Sequence, residues 1–469
     1  MIYVRTCAYN AEKTLKRAIE SILSQTYRDF LFYILDNGST DGTREIIRDY
    51  AERDERIIPF YSDRNLDRSE NFEFWNLIDS LSEDDYICFL DADDAYDSSF
   101  LEESLRFLTE NELDMVMCGS VFMEAESWTP YSNRVVSKNM ILKDKAAFEN
   151  NFPEIYWNLR AMWGKLYTAK AKCPYSGASK QPEWYPVYGG DTINVFESVV
   201  KAERIGILAK PLHYYSVSNK STSYKWHDGR EKSDPLLFEK AEELLLKKCG
   251  RVSEENKKML YAVYFYATKD TMRVLFHADM EAEKKLAITE TIFFHPITQA
   301  MFCMRFDVSN EERIDFFVNV VINLISLYVE MNGQSYEIFE RIFSNINPDF
   351  SKLIAEEQFK WYIEKRPVLM RNMVLREYEY AINNLIVYLS ECGDKISVSF
   401  PYLLGQKLSA MMNEEKKYIF FSKKLIRWYI LNNQHEIARN ELIDWLQLLP
   451  EDEEIKALQK LYEENQQEG

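Results

Sequence analysis

The first 111 residues alternate four times between a short apolar run and an amphipathic segment, and no other feature constrains the fold as tightly. "IYVRTCA" reads as a strand, and "NAEKTLKRAIESILSQ" follows with Leu15, Ala18, Ile19, Ile22 and Leu23 at the helical spacing of three and four. "FLFYIL" is a second strand, and "DGTREIIRDYAERD" a helix that Asp41 is placed to cap. "IIPFYS" and "SENFEFWNLIDSL" repeat the pair, as do "YICFL" and "SSFLEESLRFLTEN". Strands separated by helices pair most readily in parallel, with the crossovers covering both faces. The pattern therefore predicts an α/β domain, Rossmann-like, built on a mostly parallel sheet.

Such sheets bind ligands outside the carboxyl ends of their strands. Asp36 follows the second strand, and Asp91, Asp93, Asp94 and Asp97 crowd the end of the fourth in "CFLDADDAYD". Asp91 and Asp93, separated by Ala92, can present carboxylates to one hard cation. Mg²⁺ or Mn²⁺ held this way keeps waters and completes its shell with substrate phosphates, so one or two protein carboxylates suffice. The cation would also cancel the repulsion between an acidic site and an anionic ligand. Asp97 is placed to cap the next helix.

The formal net charge of -19 argues against generic nucleic-acid binding, which depends on Lys and Arg neutralising phosphates. A chain of 469 residues, with only 14 Gly and 13 Pro, is long enough for two or three ordered domains. Its seven cysteines form no CxxC pair, which fits reduced thiols. No signal peptide is visible at the start, and the longest apolar run, "FFVNVVINLISLYVEM", is shorter than the roughly 20 residues that span a bilayer. It reads as a buried helix. These features predict a cytoplasmic protein without a transmembrane segment, peripheral contact with a membrane being the alternative.

After Trp226 the strand signal gives way to helical stripes, so the expected division is an α/β domain over 1–228 and an all-α, repeat-like domain over 229–469. Residues 424–468 are similar to a tetratricopeptide unit, with Leu431, Ala438, Leu442 and Pro450 near positions such repeats favour. An irregular helical bundle is the alternative.

"CAYNAEKTLKRAIESILSQTY", "ILDNGSTDGT", "FLDADDAYD", "WGKLYT" and "GGDT" occur in the order and approximate spacing of family 2 glycosyltransferases of the GT-A fold. The resemblance covers about 1–224. It implies that Ala8, Tyr9 and Asn10 line a nucleotide pocket, that Asp36 meets the base, and that Asn65 and Arg68 reach the base or the diphosphate. It further implies that Asp91, with Ala92, meets the sugar or ribose, that Asp93 ligates the metal, and that Trp163 and Lys165 lie beside the donor sugar. Asp191 matches the catalytic base, with helix capping as its other reading. "HYYSVSNKSTSY" departs from the family pattern, since Ser216 and Ser218 stand where an Arg and a His are usual. His213 and His227 are the nearest substitutes for a third metal ligand, His227 being the one on a polar loop.

What the resemblance implies for activity is inverting transfer of a sugar from a nucleotide sugar, UDP-linked, with Mn²⁺ or Mg²⁺. The helical half resembles the appendages of bacterial enzymes that glycosylate peptides or build surface glycans. It would present a protein, peptide or glycan acceptor, or pair two copies as a homodimer. A reading from another class is an inactive module that binds nucleotide sugars or proteins. Retained Asp91, Asp93 and Asp191 speak against it.

Overall fold

The computed structural model describes residues 1–66, 74, 81–172, 188–218, 225–303, 306–308 and 415–468, with single positions between 312 and 331 and between 402 and 409. Two compact units divide the chain, Met1–Val274 and Leu275–Gly469.

In the first unit, β1 (Ile2–Ala8) lies at the centre of the parallel strands. It pairs in parallel with β2 (Phe30–Asp36) on one side and with β4 (Tyr86–Phe89) on the other, and β3 (Ile57–Tyr61) continues the parallel order beyond β2. The chain steps outward from β1 to β3 and then returns to the opposite flank. A switch of direction of this kind opens a crevice at the carboxyl ends of the two strands that flank it, here β1 and β4. Helices α1 (Leu15–Leu23), α2 (Thr43–Arg53) and α3 (Phe100–Glu110) follow β1, β2 and β5 (Ala95–Tyr96). The stripe Leu15, Ala18, Ile19 and Ile22 is fully buried in one core with Ile2, Val4, Phe32 and Ile34. Burial of a side chain such as Leu or Ile contributes about 1.5–3 kcal/mol relative to exposure. Asp41 accepts the Thr43 amide at 3.0 Å and so caps α2 from one residue before Gly42, its N-cap position.

Past β4 the sheet is mixed. β9 (Lys165–Thr168) runs antiparallel between β4 and β6 (Met115–Glu124), and β10 (Ile205–Val217) is parallel to β6. β5 and β8 (Met140–Leu142) pair with β10, and β7 (Pro130–Arg134) with β6, all antiparallel. Helices α4 (Lys145–Ile155), α5 (Gly190–Lys201), α6 (Arg230–Cys249) and α7 (Glu254–Phe276) complete the region. Phe238 of α6 packs its ring 4.9 Å from Tyr261 of α7, and Arg230 pairs with Asp270 at 3.0 Å. Leu237 of α6 packs against Gly189, at the start of α5. The helical pattern begins at 229, whereas the compact boundary falls at 274/275. Periodicity reports what a segment is, and burial reports what it packs against.

In the second unit, α8 (Ala282–Phe294) and α9 (Pro296–Cys303) precede three C-terminal helices, α10 (Glu415–Leu431), α11 (His435–Leu448) and α12 (Glu453–Glu468). The three share a core of Ile426, Ile430, Ala438, Leu442, Trp445, Ile455 and Leu458. Ala438 and Leu442 are buried as a repeat would require, but Leu431 is 55% exposed. In the long apolar run, Phe316, Val320, Leu324 and Leu327 are helical and buried. No helix among the described residues is long and apolar enough to cross a membrane. Cys7, Cys88, Cys118 and Cys249 are free thiols, and burial pushes Cys118 up to about 12.

Gly38, in the loop after β2, has φ +76°, and a Cβ there would lie 2.1 Å from the backbone carbon of Arg64 and 2.5 Å from the Asn65 amide. Neither atom belongs to a flexible side chain. Gly38→Ala is expected to lower stability by about 2 kcal/mol or more, read as a fall in the urea midpoint, because strain in φ and a backbone clash add.

Candidate active site at the carboxyl edge of the parallel strands

The loops that leave β1, β2 and β3 are tied to one another before any ligand is considered. Asn10, at φ +50°, accepts the Thr40 amide at 2.8 Å, and its own amide donates to Ser39 Oγ at 3.0 Å. Glu12 accepts the Gly42 amide, and Asn37 Nδ2 donates to both Asn65 Oδ1 and the Leu66 carbonyl at 2.9 Å. Ala8 is buried opposite Asp36 in the β1–β2 register, while Tyr9 is exposed at the rim. Asp36 itself is fully buried. One oxygen meets Arg44 Nε at 2.6 Å and the other accepts the Ser39 amide at 3.0 Å. Its carboxylate thus holds the β2 loop together and is neutralised locally. Arg68 lies outside the described residues.

The acidic loop after β4 sorts its carboxylates by burial. Asp91 is exposed, Ala92 and Asp93 are half-buried, and Asp94 is fully buried. Asp94 Oδ1 accepts the Ser216 amide at 2.8 Å and Oδ2 meets His213 Nε2 at 3.1 Å, while His213 Nδ1 faces Ser120 Oγ at 3.2 Å. Burial holds Asp94 well above the usual carboxylate range, and the charge of Asp93 adds to that. Burial also keeps His213 well below its ordinary value, with the charges of Lys165 and Arg134 acting the same way, so its imidazole is neutral. Both ring nitrogens are engaged within the protein. His213 is therefore a strut of β10, which removes it as a substitute metal ligand.

Asp93 differs. Burial raises its pKa, opposed by a hydrogen bond from its own backbone amide and by the charge of Arg17. Arg17 Nη2 donates to the Asp93 carbonyl at 2.9 Å rather than to the carboxylate, with its guanidinium 3.4 Å above Trp128. A half-buried carboxylate short of positive charge, beside exposed Asp91, fits a divalent cation. His227 is half-buried in the turn before α6, where its carbonyl accepts the Arg230 amide at 3.0 Å. Among the described residues, no cluster of three His, Cys, Asp or Glu side chains is arranged to hold a metal.

Opposite the acidic loop stands the turn at 160–165. Tyr96 joins the two, since its hydroxyl donates to the Phe89 carbonyl at 2.6 Å and accepts the Gly164 amide at 2.9 Å. Trp163 stacks on His213 with ring centres 4.3 Å apart and on Tyr215 at 5.1 Å. Lys165 is buried, its amine donates to the Ala161 and Trp163 carbonyls, and burial together with Arg134 brings it down to about 7. It holds the turn from beneath. Asp191 lies in the first turn of α5, and the adjacent Thr192 Oγ1 donates to the Arg160 carbonyl at 2.7 Å. The charge of Asp191 also reaches Tyr167, whose buried hydroxyl has no hydrogen-bond partner. Sequence reasoning missed Arg17, Tyr96 and the supporting role of His213, because each acts across more than 65 residues.

An α/β sheet of this kind binds ligands in the crevice at its switch point, which is where the acidic loop lies. Comparison with known proteins narrows this. Residues 3–164 match the family described as glycosyl transferase family 2. The chain is 35% identical over 127 residues to an uncharacterized glycosyltransferase of Methanocaldococcus jannaschii, covering 26% of this chain and 43% of that protein. It is 29% identical over 150 residues to a Bacillus subtilis glycosyltransferase named for teichuronic acid biosynthesis, covering 31% of this chain and 56% of that protein. It thus spans about half the length of these relatives. Among solved structures, Staphylococcus aureus TarS 1-349 in complex with UDP-GlcNAc aligns with 77% of this chain and 89% of its own, at 14% identity and a TM-score of 0.40.

Folded His213 stays neutral where an unfolded histidine would take a proton near its ordinary 6.5. Its contribution to stability is present above that value and is lost as pH falls below it. Asp94, Ser120, Lys165, Arg134 and Asp93 surround the ring, and His213→Gln leaves all five in place. The stability advantage of the native chain over His213→Gln is therefore expected to shrink by about 1 kcal/mol between pH 7.5 and 5.5, measured by urea unfolding at each pH.

Proposed function

We propose that the chain is an inverting, metal-dependent glycosyltransferase that moves a sugar from a nucleotide sugar, UDP-linked, to a hydroxyl or thiol of a peptide, protein or glycan. The observation that carries this reading is the charge-poor Asp93 beside Asp91 at the switch point, with Asp191 on the first turn of α5. Asp91 and Asp93 would hold Mn²⁺ or Mg²⁺. When bound, the cation offsets negative charge on the departing diphosphate, so that side needs no general acid.

The remaining steps belong to the protein. Asp191 accepts the proton of the acceptor as its oxygen or sulfur attacks the anomeric carbon, and the bond to the diphosphate breaks on the opposite face. One base and one displacement invert the configuration. Tyr9, Asn10 and Asn65 border the crevice that would take the nucleoside, and the half-buried Trp163 offers an aromatic face to the sugar. Asp36 and Lys165 support the loops around that pocket, the first through Arg44 and the second through the turn at 160–165. His227 is retained as a candidate ligand of the cation. The helical unit, including the repeat-like 424–468, is assigned to acceptor binding or self-association.

The test is release of nucleoside diphosphate from a panel of nucleotide sugars, with Mn²⁺ and with chelator. Metal-dependent release from one donor is expected, with Asp93→Asn and Asp191→Asn each reducing it by about a hundredfold or more. Asp93→Asn should also weaken metal-dependent nucleotide binding in calorimetry, whereas Asp191→Asn should not. If the native chain bound no donor with metal, the assignment would fail. Binding without turnover of any donor and acceptor pair would place the chain among inactive binding modules.

A further inference from the structure

A second concentration of charge lies beside Trp163, where Arg134, Arg160 and Lys165 gather. Arg134 closes β7, and its guanidinium sits 5.5 Å from the Phe122 ring centre and 5.4 Å from that of Trp163. Its Nε is buried and has no hydrogen-bond partner among the described residues. Burial lowers Arg134 to about 10, and the charge of Arg160 adds to the effect. Arg160 ends the short helical turn Tyr156–Arg160, its guanidinium 5.6 Å from the Trp157 ring, which is 39% exposed. Lys165 lies beneath, with its amine already donating to backbone carbonyls. Among the described residues neither arginine is paired with a carboxylate. Asp234, whose acidity Arg160 influences, is hydrogen-bonded by Thr271 at 2.6 Å.

The surroundings make this unusual. The chain has 76 acidic and 57 basic residues, so partners for a structural arginine are plentiful. A buried guanidinium nitrogen without a partner is costly, and the planar fork suits phosphate or carboxylate. Their position is also informative, because the Arg160 carbonyl accepts from Thr192, next to Asp191.

The geometry points to an acceptor subsite in which Arg134 and Arg160 receive a phosphate or carboxylate carried close to the hydroxyl that is glycosylated, with Trp157 beside it. This rests on the reading of Asp191 as the acceptor-side base. The acceptor is then an anionic glycan rather than a neutral one. An acidic protein would otherwise repel such a chain, so two unneutralised arginines supply both attraction and register.

The test uses the full chain without any donor, so it is independent of turnover. Binding of dextran, carboxymethyl-dextran and dextran phosphate is compared by calorimetry, with and without UDP. The native chain is expected to bind a charged dextran and not the neutral one, with UDP leaving that binding intact. The better of the two charged polymers identifies the group as carboxylate or phosphate. Arg134→Gln combined with Arg160→Gln should weaken the interaction by about tenfold or more, while Lys138→Gln, an exposed lysine, should leave it unchanged. Equal binding of neutral and charged dextrans, displacement by UDP, or an unaffected double variant would each overturn the proposal. If Arg134→Gln proved unfolded by circular dichroism, Arg160→Gln and Arg160→Glu would carry the same comparison. Loss of donor chemistry with polymer binding retained would count against the Asp191 role and leave the anion site standing.

Discussion

The active-site region depends on one buried carboxylate. Asp94 ties the loop after β4 to β10 through the Ser216 amide and His213, and His213 in turn supports Trp163 from below. Acidic and aromatic parts of the site come from segments over 60 residues apart in sequence, so local propensity cannot place them together. A group fully removed from water must keep its partners, since an unpaired polar atom there costs about 1–3 kcal/mol. That requirement fixes the distance between the exposed acids at the rim and the aromatic platform facing them.

The parallel half of the sheet was legible from the sequence because β1 and β2 are apolar runs that each lead into a helix with a clear stripe. β5, β7 and β8 were not, for they are two to five residues long and their pairing is decided by neighbours far along the chain. Among site residues, Asp91 and Asp93 could be located at a strand end by pattern alone. Asp36 and Lys165 show the limit of that approach. Their positions beside the crevice were readable, but their side chains turn inward to Arg44 and to backbone carbonyls, and only packing decides such orientations. His213 illustrates the same point from the opposite direction, because a histidine near an acidic loop looks like a ligand until both of its nitrogens are accounted for.

Two electrostatic imbalances of opposite sign border Trp163. Burial holds Asp93 above the usual carboxylate range, while Arg134 has a buried Nε without a partner among the described residues and the like charge of Arg160 nearby. Folding alone would favour neutralising each with the other, at little cost in a chain rich in both signs.

The Tyr96 hydroxyl spans from the Phe89 carbonyl to the Gly164 amide. One oxygen atom therefore serves as donor to the end of β4 and acceptor from the aromatic turn. Any opening that frees the turn leaves a buried strand carbonyl without its partner, so the two walls of the crevice behave as a single mechanical body. Breathing that admits a large substrate must then come from the segments outside that linkage, and the crevice can widen at its rim while its floor keeps a constant span.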